Sequence, residues 1–141
     1  MRSVAWLLAF LIVLGTPALA EAPAPGTYKQ ADPVTRKPLS VGSQLVIIAG
    51  KAGKIGFSIN AIRALDSNQG FVAGILNGSL PLTWTQTSST TGNCRLRFAP
   101  VSSIPHALAI TQDLSFGDCG FSAGVTANGT YVLIPEKPLK T

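Results

Sequence analysis

The chain has 141 residues, 46% of them hydrophobic and 12% charged, and a formal net charge of +5. That length holds one domain of the usual ~100–150 residues. A charged fraction about half the globular average of ~25% excludes a coiled coil, a long solvated helix or a charged disordered tail.

The first element is an export address. Arg2 supplies a positive start, Val4 to Leu14 is an unbroken apolar run, and Gly15-Thr16-Pro17 breaks it before Ala18-Leu19-Ala20. Small residues at that spacing are what a signal peptidase accepts. The run falls short of the ~20 residues that cross a bilayer, so stable membrane insertion is not expected. Neither a cysteine for a lipid anchor nor a twin arginine accompanies it. The sequence therefore predicts a signal peptide over 1–20, a single β domain over 21–134, a flexible tail over 135–141, and a periplasmic or secreted location. Without Arg2 the mature chain carries 10 basic and 6 acidic residues. That excess favours an anionic or acidic neighbour. It does not call for nucleic acid, because aromatic and basic residues are not interleaved as a stacking surface requires.

Between Pro-rich ends, short runs rich in β-branched and aromatic residues alternate with turn signals, and no helical period emerges. The candidate strands are Tyr28–Ala31, Gln44–Ala49, Lys54–Asn60, Phe71–Leu76, Leu82–Thr87, Arg95–Ala99, Leu108–Gln112, Phe121–Ala127 and Thr130–Ile134. Ala61–Asp66 reads equally as a helical turn or a bulged continuation of the third strand. Gly50-Lys51-Ala52-Gly53 predicts a hairpin turn; Asn77-Gly78 and Asn128-Gly129 accept positive φ readily. Ile55, Phe57 and Ile59 share one face, as do Cys94, Leu96 and Phe98, with Arg95 and Arg97 opposite. Eight or nine strands in ~110 residues predict an all-β domain, a small antiparallel β-barrel or sandwich. Gly26-Thr27-Tyr28 recurs as Gly129-Thr130-Tyr131, an echo whose physical sense is closure of a barrel by its first and last strands.

Cys94 and Cys119 are the only cysteines. An even pair in an oxidising compartment predicts a disulfide, while a metal site would need His106 with Asp113 or Asp118 to complete it. No metal or cofactor is expected.

Chemistry-bearing patterns are few. Gly120-Phe121-Ser122-Ala123-Gly124 matches the G-x-S-x-G elbow of serine hydrolases, yet His106 lies upstream and no helix follows. Asp113 and Asp118 imitate a glycosidase pair but sit in a turn-like stretch. Gly50, Gly53 and Gly56 lack the Walker pattern around Lys51 and Lys54. Asn77 and Asn128 open glycosylation sequons that bacterial export turns into plain turns. The expectation is a protein that is not an enzyme. Its candidate contact surface is Lys51, Lys54, Arg95 and Arg97, four of the ten mature cations, on the premise that they share a face.

Cys94-Arg-Leu-Arg-Phe98, Ala109-Ile-Thr-Gln-Asp113, Cys119-Gly-Phe-Ser-Ala-Gly-Val125 and Gly129-Thr-Tyr131 together resemble small exported bacterial β-barrel proteins of the lysozyme-inhibitor-like or uncharacterised periplasmic type. The resemblance covers residues 94–131. It implies a periplasmic β-barrel that blocks a peptidoglycan-cleaving enzyme. The Ser-Gly loop that established inhibitors present has no counterpart here, so no inhibitory residue is carried over. Like-signed surfaces repel, so the basic chain fits an acidic or neutral envelope protein or cell-wall enzyme better than a basic lysozyme. The alternative function is a carrier of a small apolar or lipid ligand inside the barrel.

Overall fold

The computed structural model describes residues 22–63 and 68–135. The expected leader and nearly all of the expected tail lie outside these residues, as does part of Ala61–Asp66. Eight strands follow one another: β1 (Gly26–Gln30), β2 (Gln44–Ala49), β3 (Lys54–Arg63), β4 (Asn68–Asn77), β5 (Leu82–Gln86), β6 (Cys94–Pro100), β7 (Leu108–Gln112) and β8 (Gly129–Leu133). All pairings are antiparallel, in the spatial order β4-β3-β2-β1-β8-β7-β6-β5. The fold is an all-β, up-and-down barrel.

Closure occurs where the repeated Gly-Thr-Tyr suggested. β1 pairs with β8 through Tyr28↔Leu133, Lys29↔Val132 and Gln30↔Tyr131. The echo extends by two positions in space: Ala24-Pro-Gly-Thr-Tyr28 and Ala127-Asn-Gly-Thr-Tyr131 each bend at a positive-φ glycine, Gly26 at 140° and Gly129 at 154°. The two tyrosine hydroxyls donate to the carbonyls of Ala24 at 2.6 Å and Ala127 at 2.9 Å. The barrel is open by one hydrogen-bonded seam, between β4 and β5.

Side chains bridge that seam. The Trp84 ring of β5 lies where a Cβ on Gly74 of β4 would stand, 2.5 Å from it, and Phe121 occupies the corresponding space at Gly70. Trp84 also meets Phe57 edge-on at 5.0 Å, and Phe57 meets Phe98 at 5.1 Å. These rings, with the fully buried Leu45, Ile59, Leu96 and Tyr131, fill the lumen, as an eight-stranded barrel permits. A second, smaller cluster of Ala31, Ala107 and Val132, backed by Val101 and Ile104, packs outside the main core.

Two expectations change. Phe121–Ala127 is not a strand but a chain of turns, closed by Phe121 N–H to Asp118 O and Val125 N–H to Ser122 O. Gly120 and Gly124 take φ of 72° and 77° within it. Its buried Phe121, Val125 and Ala127 gave the apolar spacing that looked like a strand. After Asn60, β3 continues as strand to Arg63, pairing Ala61↔Gly70, Ile62↔Gln69 and Arg63↔Asn68, so no helical turn begins at Ala61. The Cys94–Cys119 disulfide ties the start of β6 to this loop, with Cα atoms 4.3 Å apart.

Candidate anion-recognition cleft

Period-two alternation turns Cys94, Leu96 and Phe98 inward and leaves Arg95 and Arg97 on the outer wall of β6. The register sets Arg97 between Thr83 and Thr111, and Arg95 beside Thr85. A cleft of about 490 Å³ opens here, lined by Thr83, Arg95, Arg97, Thr111, Gln112, Asp113 and Leu114.

The turn after β7 organises its upper rim. Asp113 N–H donates to Arg95 O at 3.0 Å, and Phe116 N–H closes the turn onto Asp113 O at 3.1 Å. The Asp113 carboxylate accepts from the Ser115 hydroxyl at 2.5 Å and its amide at 3.1 Å. Arg95 Nη1 stands 3.4 Å from Asp113 Oδ2, and its guanidinium carbon lies 4.0 Å above the Phe116 ring. The Ser115 hydroxyl, with the Ser115 amide and Arg95, holds the Asp113 carboxyl below its ordinary value, so it is charged at neutral pH. Arg95 is thus fixed by a carboxylate and a ring face. Arg97 is exposed and makes no ion pair among the described residues. Two threonine hydroxyls flank it, each able to donate one hydrogen bond.

The four cations named from sequence separate into two sets. Lys51 and Lys54 bound the β2–β3 turn, where Lys54 N–H donates to Lys51 O at 3.2 Å. Along the hydrogen-bonded wall β1, β8 and β7 separate that turn from β6. Arg95 and Arg97 share the cleft but not a role. Phe116, whose ring supports Arg95, was not legible in the sequence, because neither its spacing from Arg95 nor its neighbours distinguish it from a turn aromatic.

The other chemistry-bearing residues are dispersed. His106 sits in the β6–β7 loop at a φ of 60°, and Ser122 in the β7–β8 loop. In an up-and-down barrel those two loops lie at opposite ends. Ser122 Oγ donates to Gln69 O at 3.2 Å, fastening its loop onto β4. Asp118 Oδ1 accepts from Gly120 N–H at 2.8 Å, a turn contact. Among the described residues no group of three His, Cys, Asp or Glu side chains could hold a metal ion, and no helix is long and apolar enough to cross a membrane.

A second cleft, of about 640 Å³, opens at the end of the barrel that carries the β4–β5 and β6–β7 connections. Leu80, Pro81, Val101, Ile104 and Pro105 give it an apolar lining, with His106 at its edge. No protein-family model, no curated protein and no solved structure matches the chain.

Proposed function

We propose that the protein acts by contact rather than by catalysis, as an exported envelope protein that captures an acidic or neutral partner. A peptidoglycan-cleaving enzyme, the partner implied by the lysozyme-inhibitor-like resemblance, is the leading candidate. The observation that carries the reading is the asymmetry of the two arginines in the outer-wall cleft. Arg95 is held in place by Asp113 and Phe116, while Arg97 stands open between Thr83 and Thr111. An open guanidinium flanked by hydroxyl donors suits a carboxylate presented by a partner, which it can engage with two parallel hydrogen bonds.

Titration of the purified chain against a panel of muramidases tests the reading. Inhibition at stoichiometric ratio is expected, with Arg97→Glu weakening it at least tenfold at unchanged thermal midpoint. No inhibition at excess removes the enzyme as partner. Capture from envelope extract that survives Arg97→Glu removes the cleft. A carrier role is the second reading, and the apolar end cleft favours it; since aromatic side chains fill the lumen, its ligand would sit at the barrel mouth.

A further inference from the structure

The wall formed by β2, β3 and β4 differs from the cleft wall in its apolar outer face. Its outward positions run across the strands as Ile48–Gly56–Ile75, then Val46–Ser58–Ala73, then Gln44–Asn60–Phe71. Ile48, Ile75 and Phe71 are 62%, 57% and 66% exposed, three of the six large apolar side chains left in solvent among the described residues. Gly56, Ser58 and Ala73 between them are small, so the apolar groups stand clear of the sheet. One row beyond Ile48 and Ile75 comes Lys54, outward on β3 two residues before Gly56, and Lys51 lies in the preceding turn; both are exposed.

Charge is distributed to match. Strands β2, β3 and β4 carry no carboxylate. The carboxylates of the described mature chain, Asp32, Asp113 and Asp118, lie in the β1–β2 and β7–β8 loops, which leave the barrel at the end opposite the Lys51 turn. The outside of a barrel is convex, so this wall cannot enclose a partner's side chain. Three such side chains present on the order of 400 Å², about half of the ~800 Å² each partner contributes to a stable protein complex. A soft layer, apolar inside and anionic at its surface, satisfies both properties: aliphatic and phenyl groups enter it while the lysine stems extend their ammonium groups to the phosphates.

We propose that this wall docks the protein on an anionic lipid surface, with Ile48, Ile75 and Phe71 entering the interface and Lys51 and Lys54 meeting the headgroup phosphates. The surface is separate from the Arg97 cleft and does not depend on it.

Flotation of the purified chain with vesicles tests this. The chain partitions onto phosphatidylglycerol–phosphatidylethanolamine vesicles, and much less onto pure phosphatidylcholine. Lys51→Gln with Lys54→Gln lowers the partition coefficient about thirty-fold, and high salt weakens binding in the same direction. Ile48→Ser with Ile75→Ser abolishes binding while the thermal midpoint holds, which distinguishes the wall from any apolar leader still attached. Arg97→Glu leaves the partition unchanged. Binding that ignores both substitution pairs, or that Arg97→Glu removes, overturns the proposal. So does a dimer in sedimentation that Ile48→Ser with Ile75→Ser dissolves, because the wall's occupant is then a second copy.

Discussion

Tyr28 and Tyr131 are both removed from solvent, and each hydroxyl returns to the carbonyl of an alanine four residues upstream. A buried tyrosine bonded in this way fixes the path by which the chain enters its strand. Burial pushes the Tyr131 hydroxyl up to about 12 and raises that of Tyr28. An unfolded tyrosine titrates near 10. Between these values the unfolded chain has released a proton that the native chain retains. The contribution is therefore complete below about pH 10 and is lost as pH rises toward 12, amounting to roughly 2–3 kcal/mol at Tyr131. Urea unfolding between pH 8 and 11.5 should show this loss, with Tyr131→Phe costing about 1 kcal/mol at neutral pH and flattening the alkaline decline. An equally steep decline in the variant would place the titrating group elsewhere. The repeated tripeptide was legible in the chain; the hydrogen bonds that give it meaning were not, since they depend on where the preceding alanines turn.

At the scale of elements, alternation revealed what it physically controls, the burial of one face. Gln44–Ala49 and Leu108–Gln112 have the expected ends, and β3, β4 and β6 run longer than expected. Apart from Ile62, their added residues in Ala61–Arg63 and Asn68–Gly70 lack strong β preference, and they are held by pairing with each other. Tertiary context of that kind leaves no local signal. The same holds for the seam, where Gly74 receives the Trp84 ring from the next strand and Gly70 the Phe121 ring from a distant loop. Gly74→Ala places a methyl against Trp84 and should cost about 1–3 kcal/mol, lowering the thermal midpoint by several degrees. Trp84→Leu in the same chain should recover part of that loss, and a strictly additive double variant would show that the two residues do not share the seam. In the β2–β3 turn, Ala52 and Gly53 have φ of 58° and 73°. Alanine is poorly suited to the first of these, and Ala52→Asn should raise stability by about 0.5–1 kcal/mol, read by denaturant midpoint.

The whole molecule is held by one covalent link. Cys94 and Cys119 are 25 residues apart, a loop whose closure stabilises by about 3–4 kcal/mol in the chain-entropy model. Cys94→Ala with Cys119→Ala should lose stability of that order, and the native chain should show the same loss under a reductant. A variant with an unchanged urea midpoint would mean that the loop is already fixed by Phe121 and Val125. Fold class, disulfide and terminal-strand closure could be read from the chain because each follows from composition, cysteine count or repetition. The two chemically opposed walls could not. They arise only when the register sets Thr83, Arg97 and Thr111 in one row and Ile48, Gly56 and Ile75 in another.

The barrel is joined by backbone bonds at its chain ends and by side chains alone between its fourth and fifth strands. It is therefore two four-stranded half-shells hinged at β1–β8. The hinge pairs residues about a hundred positions apart, such as Tyr28 and Leu133, so loop-closure entropy delays it until both halves exist. Linking the ends and cutting between β4 and β5 would give a circular permutant in which the slowest pairing becomes a local one. Such a chain should refold faster than the native order while keeping every ladder bond.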